Sequence, residues 1–124
     1  MAVNLGLDGR AVVSVANDYT VRMKLTGGHF VSVESPFTLD DLALSPETDP
    51  VEAFTPVRQL VGQTIETATA ADTGTLRVAF RNGTQLVVEP DAHYESWNLA
   101  KPNGALIVCT PGGELAHWKP DAGN

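Results

Sequence analysis

Two stretches of this chain match each other without a gap. Residues 20–34 (TVRMKLTGGHFVSVE) align with residues 75–89 (TLRVAFRNGTQLVVE), and threonine, arginine, glycine, valine and glutamate recur at the same places. A lead-in of the form Leu-x-Gly precedes each stretch, at residues 7–9 and 60–62. Internal self-similarity reports on architecture before any catalytic motif is sought. We therefore interpret residues 7–34 and 60–89 as an internal duplication.

Each copy alternates apolar and polar side chains, which indicates a strand with one buried face. Opposed residues of an antiparallel pair share a face of the sheet, so the register must match apolar with apolar. Three-residue loops ending in Gly28 and Gly83 give this match, because glycine accepts the positive φ required at the third loop position. The predicted apolar pairs are Val21–Val33, Met23–Val31, Leu76–Val88 and Val78–Leu86.

Other short apolar segments extend this pattern over the chain. Residues 11–16 and 64–70 predict one strand before each hairpin, and residues 94–118 predict a C-terminal hairpin extension of three short strands. At 124 residues the chain fits a single domain. We predict an all-β domain, an antiparallel β-sandwich or partly open barrel built from two related three-stranded meanders plus the C-terminal hairpin.

An acidic, proline-rich insert at residues 35–57 separates the two copies. It holds four of the eight prolines and five acidic residues, with no lysine or arginine. Proline at this density predicts an interruption of regular strands. Asp49 and Pro50 have the residue types of a helix N-cap and first helical position. The apolar residues Phe37, Leu39, Leu42 and Leu44 predict that the segment is partly attached to the core, as a functional cover or a mobile linker.

The net charge of −7, from 15 acidic and 8 basic residues, bears on the partners that we expect. It argues against nucleic acid and anionic membrane surfaces, which attract basic proteins, and it favours a basic protein partner. No apolar run is long enough to span a membrane, and the N-terminus lacks the pattern of a signal peptide. A single cysteine, Cys109, cannot form an internal disulfide, so we expect a cytoplasmic location.

The segment His93-Tyr94-Glu95-Ser96-Trp97 has the most distinctive chemistry. On a strand, His93, Glu95 and Trp97 would share one face, where His93 and Glu95 have the residue types of an acid/base pair or half a metal site. Only two other histidines occur, so we predict no metal site and no cofactor. Cys109 lies in an apolar strand and is interpreted as a core thiol, which leaves no predicted catalytic residue.

Arg22 and Arg77 occupy matching polar positions in the two copies. They are expected to pair with Glu34 and Glu89 on solvated sheet faces. An alternative is that the two arginines converge on a cleft between the halves and form an anion site there.

The C-terminal third resembles a family of small uncharacterised bacterial proteins that carry a Tyr-Glu-x-Trp strand, an apolar strand ending in Pro-Gly-Gly and a closing strand with tryptophan. The resemblance implies no established activity, cofactor or catalytic residue. Some similar short, acidic, β-rich bacterial proteins are immunity proteins that neutralise toxins, and this link is an analogy. The residues that carry the resemblance are Tyr94, Glu95, Trp97, Pro111, Gly112, Gly113 and Trp118.

These observations favour a non-catalytic binding or interaction protein over an enzyme. One specific version is an immunity-type inhibitor of a basic partner. The alternative is a small-ligand binder or enzyme with a cleft near Tyr94, Glu95 and Trp97, and a homodimer joined along strand edges is a third hypothesis. The candidate binding residues are His93, Tyr94, Glu95, Trp97, Arg22 and Arg77.

Overall fold

The computed structural model describes residues 2–119, which form two six-stranded antiparallel sheets. A 3-10 turn (Val51–Phe54) and a one-turn helix α1 (Thr55–Arg58) lie between the sixth and seventh strands. The strands are β1 (Val3–Asn4), β2 (Val12–Asn17), β3 (Val21–Leu25), β4 (His29–Val33), β5 (Phe37–Leu39), β6 (Leu42–Leu44), β7 (Ile65–Ala70), β8 (Leu76–Phe80), β9 (Gln85–Val88), β10 (Trp97–Ala100), β11 (Leu106–Cys109) and β12 (Leu115–Trp118).

The chain changes sheets after each meander. One sheet has the order β1-β7-β8-β9-β5-β6 and the other has the order β12-β11-β10-β4-β3-β2. The β5–β6 hairpin, which follows the first meander, extends the sheet of the second, while β10–β12 extend the sheet of the first. Neither sheet closes on itself. The predicted all-β antiparallel sandwich is therefore confirmed, and the alternative of a partly open barrel does not form.

The predicted hairpin registers are confirmed. Met23 lies opposite Val31 in the first hairpin and Val78 lies opposite Leu86 in the second. Gly28 and the equivalent Gly83 have φ values of 87° and 94°, in the left-handed region that an L-amino acid avoids. Asn82-Gly83 is a dipeptide typical of two-residue turns, so the matching of apolar faces was the better guide to the length of the second loop.

The two lead-ins pair with each other. Four backbone hydrogen bonds join the lead-ins, and replacing each residue by its equivalent in the other copy turns each bond into another of the four. Strands β2 and β7 also each carry a bulge at their second residue. This is the arrangement that an internal duplication would produce, and the duplication itself remains our proposal. The bonds are Gly9 N to Ile65 O (2.9 Å), Gly62 N to Val12 O (2.8 Å), Val12 N to Gln63 O (3.0 Å) and Ile65 N to Arg10 O (2.7 Å).

The inner faces of the two sheets supply the core. Alternation along each strand puts one set of side chains inside, where removal of apolar area from water is the main stabilising term. Cys109 is fully buried in this core, as expected for a core thiol, and burial raises the pKa of its thiol. The most deeply buried large side chains include Leu7, Met23, Leu25, Phe54, Ile65, Leu76, Phe80, Leu86, Trp97 and Leu99.

The insert is more regular than its prolines predicted. Two short strands, β5 and β6, form within it because Pro36 and Pro46 lie just outside them. The turn between the strands places Asp40 at a φ of 53°, and its carboxylate accepts a hydrogen bond from Gln85 N at 3.0 Å. The insert is therefore a sheet component that pairs with β9.

The helical turn also begins differently from the prediction. Pro50 is the N-cap of the 3-10 turn, and Asp49 does not cap it. The Asp49 carboxylate instead accepts a hydrogen bond from Ser45 N at 2.7 Å, which closes the loop before the turn. Of the four predicted apolar anchors, Leu42 is exposed and the other three are buried.

The C-terminal hairpin begins at Trp97 rather than at residue 94, and its Pro-Gly-Gly turn packs against the β7–β8 turn. A Cβ atom on Gly74 would lie 2.5 Å from Gly113 Cα, and one on Gly113 would collide with the Thr73 carbonyl oxygen. The turns of two different sheets thus approach each other at a distance that only glycine allows.

Adjacent glycines in this turn provide a matched test. Gly112 and Gly113 both have positive φ, but a Cβ on Gly112 would meet no atom within 4 Å. Gly112→Ala should cost about 1–2 kcal/mol of unfolding free energy from backbone strain alone. Gly113→Ala should cost roughly 1–3 kcal/mol more because it also overpacks the contact between the turns. Urea denaturation of both variants checks this, and equal losses would contradict the close contact.

Candidate functional site

The residue that follows β4 is held against the segment that precedes β10. Glu34 N donates to Ser96 O at 2.8 Å and Ser35 N donates to the same oxygen at 3.3 Å. Ser96 N in turn donates to Cys109 O at 3.2 Å. These bonds continue the β4–β10 pairing beyond the strand ends. They bring Glu34, which precedes the insert, close to Glu95, which precedes Ser96.

The segment before β10 is a turn, not a strand. The Asp91 carboxylate accepts hydrogen bonds from His93 N (2.7 Å) and Tyr94 N (3.2 Å), a side-chain turn typical of aspartate. The rings of His93 and Tyr94 meet edge to face with centroids 6.4 Å apart. The expectation that His93, Glu95 and Trp97 share one strand face is therefore wrong, because strand geometry starts only at Trp97.

Around this turn lies a cleft of about 450 Å³. Tyr94 and Glu95 line it, and the insert forms the opposite wall. The lining contains four carboxylates and, among the described residues, no lysine, arginine or histidine. The lining residues are Glu34, Ser35, Pro36, Ser45, Glu47, Asp91, Tyr94 and Glu95.

Glu34 is the carboxylate with a perturbed titration. Partial burial raises the pKa of Glu34, and the nearby Glu95 carboxylate raises it further. A hydrogen bond from Asn98 and the charge of Arg22 act in the opposite direction. The ionised form of Glu34 is therefore disfavoured in the cleft, and a cation that enters the cleft would stabilise it.

The arrangement limits the chemistry that the cleft can perform. Within residues 2–119, no group of three or more His, Cys, Asp and Glu side chains is placed to hold a metal ion. An acidic cleft with hydroxyl and aromatic neighbours is suited to binding an ammonium or guanidinium group. A second possibility for the same atoms is proton transfer, since Glu34 and Glu95 are two carboxylates in different environments.

An apolar groove of about 510 Å³ adjoins the acidic cleft, and the two share Pro36 and Ser45. Sequence reasoning missed this groove, because residues of β5, β6 and β9 form it and the two strands of the insert were not predicted. Acidic side chains lie at its edge. The groove is lined by Pro36, Phe37, Thr38, Ala43, Leu44, Ser45, Asp49, Val87 and Glu89.

Trp97 is a core residue and does not line the cleft. It has no solvent exposure, and its indole Nε1 donates to Gly74 O at 2.8 Å. His93 is exposed in the turn beside Tyr94 without lining the cleft. Of the predicted site residues, the structure thus places Tyr94 and Glu95 in the cleft.

The structure does not bring the two predicted arginines together. Arg22 and Arg77 are exposed on β3 and β8, on the outer faces of different sheets, with the sandwich core between them. Arg77 Nη1 donates to Gln85 Oε1 at 3.3 Å, and Glu89 accepts a bond from Thr75 instead of pairing with Arg77. Arg22 is near enough to Glu34 for its charge to lower the pKa of that carboxyl. Of the two predicted pairs, Arg22 and Glu34 are therefore the one that interacts electrostatically in the described residues.

No helix in residues 2–119 combines the length and apolarity needed to cross a membrane.

The charges around Glu34 predict opposite effects of two neutral substitutions. Glu95→Gln should lower the pKa of Glu34 by removing a like charge, and Arg22→Gln should raise it by removing an opposite one. Carboxyl carbon shifts followed by NMR against pH measure this directly. Movement in the same direction for both variants would contradict the described arrangement.

The same raised pKa makes stability depend on pH. A carboxyl whose pKa is raised by folding favours the folded state below its unfolded pKa, and this contribution is lost as the pH rises through the folded pKa. Glu34→Gln should therefore be more stable than the natural protein at neutral pH, with the difference vanishing in acid. Glu66→Gln, on β7 outside the cleft, is the control, and thermal unfolding across pH is the measurement.

Comparison with known proteins gives a family and no function. No curated protein and no solved structure matches the chain. A family described as "Family of unknown function (DUF6188)" matches residues 3–119, which covers nearly the whole chain and includes both meanders, the insert and the C-terminal hairpin. The chain therefore belongs to DUF6188, a family of unknown function.

Proposed function

We propose that this protein is a non-catalytic binding protein whose acidic cleft receives a cationic side chain of a basic protein partner. The observation that carries the proposal is the composition of the cleft lining, which has four carboxylates and no cationic residue among the described residues. A surface that concentrates one sign of charge in a concave site attracts the opposite charge and orients it.

The perturbed Glu34 supplies a reason for affinity. Its raised pKa reflects the cost of a partly buried charge beside Glu95. A lysine or arginine inserted between the two carboxylates would form charge-assisted hydrogen bonds and remove their mutual repulsion. Tyr94, which is 68% exposed at the edge of the cleft, offers an aromatic face for the same cation.

The neighbouring groove indicates what the rest of the partner would present. Because the apolar groove and the acidic cleft share Pro36 and Ser45, one bound segment would place an apolar side chain next to a basic one. Each cavity lies within the size range of small-ligand pockets, so each suits a side chain or a short segment. An immunity-type inhibitor of a basic toxin is the specific version that the sequence suggested by analogy.

One observation favours a second candidate function. Glu34 with its raised pKa, beside a second carboxyl group from Glu95, has the residue types of an acid/base pair, so a small-ligand binder or enzyme could use the same cleft. Trp97, one of the three residues near which this cleft was predicted, is inside the core and would act only through packing. Activity that depends on Glu34 and Glu95, without a protein partner, would favour this candidate.

A direct test uses a short oligolysine peptide as the probe. Calorimetric titration should show binding that weakens as the salt concentration rises, because exposed charges are screened. Glu34→Gln combined with Glu95→Gln should reduce the affinity by about tenfold or more, since hydrogen bonds to charged groups contribute about 1.5–3 kcal/mol each.

The control must separate the cleft from the net charge. Glu66→Gln combined with Glu114→Gln removes the same number of charges at exposed positions outside the cleft. This variant should bind the peptide nearly as well as the natural protein. Equal loss in both double variants would show that only the overall charge of −7 matters and would defeat the proposal.

A further inference from the structure

A second charged feature lies at the opposite end of β4 from the acidic cleft. Three segments meet where β4 begins: the first lead-in, the β3–β4 loop and the β10–β11 turn. Ala11 N donates to Thr26 Oγ1 at 3.1 Å, which joins the lead-in to the loop. Pro102 lies 3.1 Å from where a Cβ on Gly28 would be, which joins the β10–β11 turn to the same loop. Arg10 thus lies beside His29, and Lys101, the residue before Pro102, is near enough for its charge to act on the His29 ring. We call Arg10, His29 and Lys101 the cationic corner.

The loop glycine makes room for the guanidinium. A Cβ atom on Gly27 would collide with Arg10 Nη1, would lie 3.0 Å from Arg10 Cζ and would lie 3.5 Å from His29 Nδ1. The Arg10 side chain therefore crosses the face of Gly27 and ends beside the imidazole of His29. This close approach is set by the lack of a side chain at residue 27.

The polar groups of the cationic corner are not compensated. His29 is only 8% exposed, and its buried Nδ1 has no hydrogen-bond partner among the described residues. Within residues 2–119, the Arg10 guanidinium and the Lys101 ammonium form no hydrogen bond or salt bridge. Arg58 shows the contrast, since its guanidinium donates to Asn17 Oδ1, Val51 O and Thr55 Oγ1. Buried polar atoms normally have partners, so an unpartnered one calls for an explanation.

The titration of His29 reflects the same surroundings. Burial lowers the pKa of His29, and the charges of Arg10 and then Lys101 lower it further, while the Thr26 backbone acts in the opposite direction. Two fixed positive charges therefore lie close to this ring.

The second copy shows that the fold does not require these charges. Gln63, Asn82 and Thr84 stand where the first copy has Arg10, Gly27 and His29. The backbone there is the same, since Arg81 N donates to Thr64 O and Gly83 N donates to Phe80 O, as Thr26 N and Gly28 N do to Ala11 O and Leu25 O. The second corner thus lacks the arginine and the histidine of the first on an equivalent frame, and Arg81 lies in its loop at the place of Thr26.

We propose that Arg10, His29 and Lys101 form a binding site for a doubly charged oxyanion of the phosphate class. The guanidinium presents a planar set of donors that matches such an anion, and the lysine adds a point charge. His29 lies beside the guanidinium as a further donor, and a bound anion would supply the partner that its Nδ1 lacks. In a chain of net charge −7, long-range repulsion does not favour anions, so binding would depend on these local groups.

Inorganic phosphate is the probe for this site. Isotope-labelled protein is titrated with phosphate at constant ionic strength in a chloride background, and NMR follows the ring of His29 and the amides of Gly27 and Gly28. Saturable shifts confined to the cationic corner are expected. Acetate, a single charge, should bind at least about tenfold more weakly. Shifts that do not saturate, or equal binding of acetate, would overturn the proposal.

The second copy supplies the matched variants. Arg10→Gln and His29→Thr introduce the residue types that the second copy has at the equivalent positions. Both variants should therefore fold, and thermal unfolding checks this. Arg10→Gln should weaken phosphate binding by about tenfold or more, and Lys101→Gln should also weaken it. Arg81→Gln, at the other loop, should leave it unchanged. Equal affinity in Arg10→Gln and Arg81→Gln would overturn the site.

Discussion

One buried hydrogen bond, from the indole of Trp97 to the carbonyl of Gly74, ties the two sheets together. Trp97 begins β10 in one sheet, and Gly74 lies in the β7–β8 turn of the other. The Cys109 thiol approaches the same oxygen at 3.4 Å, so a carbonyl buried between sheets has two donors in place of water. Gly113 packs so closely on this turn that a Cβ atom at either Gly74 or Gly113 would collide with the other turn.

The position of the acidic cleft follows from this bond. Because Trp97 is fixed in the core, the chain just before it must turn at the surface, and Asp91 organises that turn by accepting two backbone hydrogen bonds. Tyr94 and Glu95 are then the exposed residues nearest the anchored strand. The motif that carries the family resemblance thus combines a structural tryptophan and glycine turn with two residues that are available for binding.

Sequence reasoning succeeded where local patterns and the fold agree. Apolar alternation and the glycine positions were sufficient for the two hairpins, their register and the sandwich class. It failed where long-range pairing decided the outcome. Strands β5 and β6 exist because β9 offers an edge to pair with, and alternation before Trp97 was overridden by the Asp91 turn. The cleft and the groove could not be foreseen, since both depend on the insert folding back beside segments distant in sequence.

The exchange of hairpins between the sheets has a consequence for how the chain folds. Each meander gains its neighbouring strands from the other half of the sequence, through β5 on β9 and β10 on β4. A polypeptide ending between the copies would leave both of those pairing edges open. Strands this far apart in sequence must close large loops before their pairing stabilises the fold, so we expect folding to be slow and cooperative.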